Sequence, residues 1–475
     1  MATIERELKL RGGADVLGRL EGEPLEERRF TSTYYDAADH RLARSGVTLR
    51  RRVEQGKSLW QLKLPRASAR LELELPGGPA GPPDRMRELL IALLHGRELI
   101  PVAKLRTLRR GLRVAADRGS SADVVMDEVA ILDGRKVTGG FSELEVEVVN
   151  GDEQTLEDLE QALRGAGARR GDPRPKVMRA LGLDPAVALP GVRRGASAVE
   201  HVQARLERLY EQLLAHDPGT RLGDEPEDLH QLRVATRRLR ALLRAARPVL
   251  VQEWSEPLRA ELAWLGGVLG PARDLDVLIE HVREEAENLS PDERRALDRA
   301  LGALEDERKE ARAALLEALA SERYLELLGA VERAARAPHV ASRDVSLHDL
   351  ASREFRKLKR VADRLPPQAS DEELHRARIK GKRARYAAEL AEDAVGKPAR
   401  RFIQRAKRFQ DVIGEHQDAV VAEERLRELR RRSRGASTAF ALGRLVERQR
   451  GRRERARAQL PRTWKKLERS GRSAW

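Results

Sequence analysis

Near the start of the chain, two carboxylates and an ammonium alternate with other residues: Glu5, Glu7 and Lys9. In an extended strand residues two apart share a face, so these groups project side by side. Carboxylates held that close repel one another unless a cation joins them. Glu143, Glu145 and Glu147 repeat the device. Arg50 with Arg52, Gln61 with Lys63, Arg70 with Glu72 and Glu74, and Lys104 with Arg106 add mixed or positive faces. A barrel that turned these faces inward would bind a metal-polyanion complex, because oxygen ligands suit magnesium or manganese and arginine forks suit phosphate oxygens. The plainer alternative, the solvated outer face of an antiparallel sheet, accounts for any one strand. It accounts less well for five together. No serine, histidine and aspartate constellation and no glycine-rich phosphate loop accompanies them, which leaves covalent and P-loop mechanisms unsupported.

Later in the chain the spacing changes to three and four. His230, Arg233, Arg237, Arg240 and Arg244 fall on one face of a helix, and so do His375, Arg378, Lys382 and Arg385. Like charges in a stripe destabilise an isolated helix, so an anion is expected to offset them. Asp274, Asp276, Asp411, Asp418 and Glu389 could serve as internal counterions. An external anion is preferred because the stripe recurs, and because Arg353, Arg356, Lys357, Arg360, Arg364, Arg401, Arg405 and Arg408 extend it. His230 and His375 each begin a stripe and are read as hydrogen-bond donors to phosphate oxygen, ahead of capping, core or metal-binding roles. The arginine-dense stretch 425–457 reads as a solvated amphipathic helix.

The elements that must position these residues follow from their periods. Up to about residue 185 the pattern repeats in twos, with strands expected at 47–54, 58–64, 70–75, 104–114 and 123–131, and helices near 84–96 and 153–166. From about 196 the period is 3.6, interrupted at Pro218, Pro226, Pro248, Pro291, Pro338, Pro366 and Pro398. The expected class is α+β, with a charged domain at 1–185, a linker at 186–195 and an all-helical domain at 196–475. Aligned on itself, the helical part repeats: His230 to Arg240 match His375 to Arg385, and LGPARDLDVL from Leu269 matches IGEHQDAVVA from Ile413. Two helical bundles, about 197–340 and 345–470, related by a pseudo-twofold, are the simplest arrangement.

Composition narrows the partner. The 475 residues carry 92 lysines and arginines against 77 acids, a formal +15 that favours an anionic ligand. With no cysteine, disulfides, zinc-thiolate sites and thiol nucleophiles are excluded. Aromatics at 3% argue against a base-stacking single-strand binder. No apolar run has signal-peptide or membrane-spanning character, so a cytoplasmic location without membrane contact is expected.

The residues Glu5-Arg6-Glu7-Leu8-Lys9 resemble the ExExK signature of the CYTH family, the triphosphate tunnel metalloenzymes. In the family's order follow YYD at 34–36, LRRR at 49–52, LWQLK at 59–63, RLELE at 70–74, MDEV at 126–129, FSELEVE at 141–147 and PKVMRAL at 175–181. The resemblance implies an eight-stranded antiparallel tunnel, with Glu5, Glu7, Glu143 and Glu145 as metal ligands. Lys9, Arg50, Arg52, Lys63, Lys104, Arg106, Lys176 and Arg179 would then contact phosphate. Glu72 and Glu74 would hold the attacking water or a second metal, or else pair with Arg70 and neighbouring arginines. Pro175 replaces a serine common in the family, and LRTLRR at 105–110 leaves the inward position open between Arg106 and Arg109. Asp127 reads as a turn residue rather than a ligand.

HxxRVxxRRLR at 230–240 and LGxxRDLDV at 269–277, each with a second copy, resemble the CHAD family of helical domains. That resemblance implies binding of inorganic polyphosphate, and association with polyphosphate granules. Together the two resemblances imply an inorganic triphosphatase dependent on Mg2+ or Mn2+. The alternative is a polyphosphate-binding protein with an inactive barrel. Nucleotide chemistry and nucleic-acid binding rank below both.

Overall fold

The computed structural model describes residues 2–66, 69–115, 119–184, 192–193, 195–433 and 435–475. The chain divides into two compact units, Met1–Leu189 and Pro190–Trp475. Most of the expected linker, 186–195, lies outside the described residues.

The first unit is one antiparallel sheet. Its strands are β1 (Ala2–Glu5), β2 (Glu7–Arg11), β3 (Glu23–Pro24), β4 (Arg28–Asp36), β5 (Thr48–Glu54), β6 (Lys57–Arg66), β7 (Ala69–Pro76), β8 (Ile100–Ala115), β9 (Ser121–Asp133), β10 (Lys136–Asn150) and β11 (Arg169–Arg170). Neighbours run β1-β7-β6-β5-β4-β8-β9-β10-β2-β11, with the two-residue β3 added to β8. β1 and β2 are two halves of one run broken at Arg6. The first half pairs with β7, placing Glu5 opposite Arg70; the second pairs with β10, placing Lys9 opposite Glu145. The two ends of the sheet therefore meet in one segment, and the sheet closes. Counting that run once and setting aside the short β3 and β11, eight strands form the tunnel among the described residues.

β4 had no strand expectation of its own in the sequence. Its Thr31, Ser32 and Thr33 dilute the apolar alternation, although Phe30, Ser32, Tyr34 and Asp36 are all buried.

The tunnel is built inside out. Its interior is charged, and much of its outer wall is apolar. Leu10, Val124, Met126, Leu144 and Val146 face outward and pack with Leu159 and Leu163 of the helix Glu153–Gly165, begun by an Asp152–Thr155 capping box. At one end of the tunnel, the short helix Lys176–Ala180 inserts Val177 and Met178 against Tyr34, Leu105 and Val129. That apolar plug also directs Lys176 and Arg179 toward the interior charges.

The second unit is all helix. Pro226–Ala245, Gln252–Ala286 and Pro291–Ala320 in the first half correspond to Asp371–Leu390, Lys397–Arg432 and Ala436–Ala474 in the second, as the repeat requires. The long hairpins of both halves share one core, in which Leu278, Ile279, Leu301 and Leu304 meet Leu426, Leu429, Leu442 and Leu445. Serine–glutamate capping boxes start the helices at Ala198, Pro291 and Asp371. Pro291 and Pro398 sit in first turns, where a missing N–H costs nothing. Pro218 does not break its helix. It lies near the end of Ala198–Leu222, which stops four residues later at Leu222 and is capped by Gly223 in a left-handed conformation (φ 77°).

Candidate functional site

Because strand side chains alternate, every second residue enters the tunnel. Inward positions are odd on β2, β6, β8, β9 and β10 and even on β4, β5 and β7. A cavity of about 280 Å³ results, lined by eight cations (Lys9, Arg28, Arg50, Arg52, Lys63, Arg70, Arg109 and Lys176) and six carboxylates (Glu5, Glu7, Glu72, Glu74, Glu145 and Glu147). With cations in excess, the cavity suits an anion.

Ten of the expected residues line this cavity, Glu143 and Arg179 lie in the charged cluster beside it, and Lys104 and Arg106 do not enter. Leu105 and Thr107 are buried on the inward face of β8, so Lys104 and Arg106 stand exposed on the other face. Arg109 takes the inward place. It donates to both oxygens of Asp127 at 2.8 Å and to Glu145 at 2.7 Å. Asp127 is not a turn residue. It is fully buried in mid-strand, opposite Arg109 on one side and Glu143 on the other.

Asp127, Glu143 and Glu145 bring carboxylate oxygens within 4.8 Å of one another, a spacing that could hold a metal ion. Lys176 already lies among them. Its Nζ is 2.9 Å from Asp127, 2.7 Å from Glu143 and 2.8 Å from Glu145. Burial works against charge at Glu145, yet Lys176, Lys9 and Arg109 hold its carboxyl well below the usual range. Burial also opposes charge on Lys176, but Glu145, Asp127 and Glu143 keep its ammonium protonated well above the ordinary lysine value. Arg179 completes the cluster, donating to Glu143 at 2.6 Å while lying 3.7 Å over the Phe141 ring.

The other acidic group has less compensation. Burial lifts the Glu5 carboxyl to about 7; Lys63, 2.6 Å away, opposes the rise, and Glu7 and Glu72 add to it. Glu7 pairs with Arg70 at 3.2 Å. A buried carboxyl that holds its proton beside two other carboxylates is short of positive charge. An oxygen-only donor set of this kind fits magnesium or manganese. Glu72 and Glu74 both accept from Gln61, which ties them together and leaves Glu72 3.7 Å from Lys63 rather than bound to Arg70.

In the second unit, a groove of about 540 Å³ is lined by Arg237, Arg240, Arg244, Arg353, Lys357 and Lys382, all expected, and by Arg247, Arg259 and Arg383, which were not. Glu354 is its one acidic residue. Burial, reinforced by Arg378, Arg237 and Arg385, pushes the Lys382 ammonium down to about 8. Such crowding of cations leaves the groove strongly positive.

The remaining stripe residues lie outside the groove lining. Arg233 bonds Asp274 at 2.5 Å, and Asp418 takes the corresponding place beside Arg378 and Lys382. Arg385 pairs with Glu389 at 3.3 Å and lies over Tyr386. The internal-counterion reading thus accounts for part of the stripe. Burial, with Arg273, Arg237 and Arg233, lowers His230, leaving a neutral ring that can donate one N–H. His375, Arg405 and Arg408 are exposed. Arg408 faces the last helix, donating to Gln459.

The stretch 425–457 is not simply solvated. Arg425 and Arg432 bond Glu307, Arg444 bonds Glu293, Arg448 bonds Glu285, and Arg457 bonds Asp371. Arg425, Arg432, Arg444 and Arg448 fasten the last helices to the first repeat, Arg457 ties the last helix to the start of Asp371–Leu390, and all five are committed.

Two outcomes follow from the tunnel charges. A carboxyl must lose its proton to bind a metal, so affinity for Mn2+ should rise about tenfold between pH 6 and 8 as Glu5 ionises, and level off above. In Glu5→Gln the rise should vanish; calorimetry at stepped pH measures both. Lys176→Met removes the counterion of three buried carboxylates and should cost about 3–5 kcal/mol in the first unit. Millimolar Mg2+ should restore part of that loss in thermal melts of the variant and do much less for the wild type.

Comparison with known proteins agrees with this division. The CYTH domain family matches residues 3–172 and the CHAD domain family residues 204–427. An uncharacterised protein of Mycobacterium tuberculosis, found in two strains, is 30% identical over 97% of this chain and 94% of its own length. Among solved structures, the CHAD domain of the plant Ricinus communis is 27% identical, with a TM-score of 0.46, covering 57% of this chain and 94% of that one. PptA from Streptomyces chartreusis is 23% identical, with a TM-score of 0.47, covering 57% and 100%. The closed, charged tunnel, the duplicated basic helices and the near full-length relative lead to one assignment: the chain belongs to the family that joins a CYTH domain to a CHAD domain.

Proposed function

We propose that the tunnel hydrolyses inorganic triphosphate with a divalent metal, and that the groove of the helical unit binds polyphosphate. The observation that carries this reading is the tunnel lining: cations and carboxylates share one enclosed space, and the cations outnumber the acids. Tyr34 is engaged through its hydroxyl by Arg50 at 3.1 Å, and the inward Phe30 is covered by Arg52 and Arg109, 5.2 and 6.0 Å from its ring, which leaves little to recognise a purine.

Glu5 and Glu7 would hold Mg2+ or Mn2+, with Glu143 and Glu145 joining once Lys176 turns from them to the substrate. The metal, when bound, supplies charge neutralisation and a more acidic water. Arg28, Arg50, Arg52 and Arg109 bind phosphate oxygens and stabilise the charge that gathers on the leaving diphosphate. In the reaction, water oxygen bonds to the terminal phosphorus and the bridging P–O bond breaks. Diphosphate departs, and the water proton passes to a carboxylate or to solvent. Glu72 and Glu74, aligned by Gln61, are the carboxylates placed to orient that water.

A second reading, binding without hydrolysis, draws on Lys176. Three contacts under 3 Å close the acidic triad with the protein's own ammonium. Incubating the pure protein with tripolyphosphate, ATP or long polyphosphate, with Mg2+ or Mn2+, and measuring phosphate release separates the two. We expect tripolyphosphate to be turned over at least about tenfold faster than ATP, and Glu5→Gln to lose about a hundredfold or more while remaining folded. Wild-type turnover in that variant sinks the catalytic assignment; no turnover in the wild type leaves the binding reading.

For the groove, affinity for long polyphosphate should fall steeply with salt, because each neutralised phosphate releases a counterion. Arg237→Glu with Lys382→Glu should weaken binding severely, and Arg401→Glu with Arg405→Glu much less. Equal weakening by both pairs, or effective competition by duplex DNA at matched phosphate, shows a diffuse basic surface instead.

A further inference from the structure

The tunnel's closure is incomplete at one place. β7 is described from Ala69 and pairs Arg70 with Glu5, so among the described residues β2 has no strand beside it on that edge beyond Arg6 until Arg170 and Arg169 pair with Leu10 and Arg11. A cavity of about 660 Å³ opens there, with Glu7 to Leu10 on one side and Pro65, Arg66, Ala69 and Arg70 on the other. Its lining includes four consecutive residues, Glu7 to Leu10. Side chains of one strand alternate between faces, with Glu7 and Lys9 inward and Leu8 and Leu10 outward. A space touching both sets runs past the edge of the strand, from the tunnel interior to the outside. Glu5, Glu7, Lys9 and Arg70 also line the tunnel cavity, so the two spaces share a wall.

The position of this gap gives it a use. Along β5 the tunnel lining from Arg52 to Thr48 covers about 13 Å at the usual strand rise, a length within which a triphosphate fits. A longer chain must project. At the end away from Arg28 and Arg52, Val177 and Met178 are packed against Tyr34, Leu105 and Val129. The gap lies beside that plug, because Lys9, next to the gap, contacts the same Glu143 and Glu145 that hold Lys176. Arg66, Arg70, Arg164 and Arg170 surround it.

We propose that the gap is a second mouth of the tunnel, through which a linear polyphosphate longer than triphosphate passes sideways around the plug. This rests on the hydrolytic reading above and extends its substrates to chains. Arg164 and Arg170 are exposed, lie outside the tunnel lining and mark the outer rim.

The test compares the wild-type chain with Arg164→Glu combined with Arg170→Glu, on tripolyphosphate and on polyphosphate of several tens of units. The expected result is a fall of about tenfold in kcat/KM for the long chain, with tripolyphosphate changed by less than about twofold. An equal change on both substrates, no change on either, or a wild type that cleaves only tripolyphosphate overturns the second mouth and leaves hydrolysis standing. A wild type inactive on everything removes the hydrolytic reading. The gap is then judged from crystals soaked with long polyphosphate: density continuing between Lys9 and Arg70 upholds it, and density confined to the tunnel or the helical groove ends it.

Discussion

Three carboxylates buried within a few ångströms of one another cannot all be ionised unless a cation lies among them. In this protein Lys176 is that cation, and much of the first unit is arranged so that it can reach. Its helix is held by an apolar plug in the end of the barrel. The acids come from the adjacent strands β9 and β10, in a register fixed by the outward apolar residues. Slipping either strand by one residue would send the acids out and valines or leucines in.

The same requirement explains why opposite charges are interleaved across the tunnel. Lys63 faces Glu5, Arg70 faces Glu7, and Arg109 faces Asp127 and Glu145. Each pair limits the penalty of burial while no ligand is present, and each must loosen when one enters. Metal and polyanion are therefore natural companions: a metal satisfies the acids, and the cations so released meet the phosphates. The helical groove follows the opposite plan. Nine cations and a single acid line it; Arg247 and Arg259 share Glu256 from outside the lining and Lys357 bonds Glu354, so cations remain in large excess.

Duplication made that groove affordable in stability. The stripes of Pro226–Ala245 and Asp371–Leu390 add like charge, but the energy of the helical unit comes from elsewhere. The shared leucine core of the long hairpins supplies apolar burial, and Arg425, Arg432, Arg444 and Arg448 pair with acids of the first repeat. Asp274 and Asp418 take up part of the charge at matching places in the two copies.

By itself the sequence determined whatever depends on local period. Alternation marked Glu5, Glu7, Lys9, Arg50, Lys63, Glu143 and Glu145 as sharing inward faces, and a shift of 145 residues exposed the helical repeat, because these are properties of neighbours along the chain. Tertiary structure decided what depends on which face is buried and what lies across from it. Lys104 and Arg106 alternate as well as any tunnel residue, yet Leu105 and Thr107 claim the interior and Arg109 enters instead. Asp127 looks like a turn acid until β8 and β10 flank it. Arg247, Arg259 and Arg383 are off the stripes and reach the groove only because helices from both repeats converge on it. Arg444 and Arg448 look free for the opposite reason, since their partners lie some 150 residues earlier in the chain. A charge's period is written in its neighbours, but its partner is set by packing among segments far apart in sequence, and that appears only when the chain has closed.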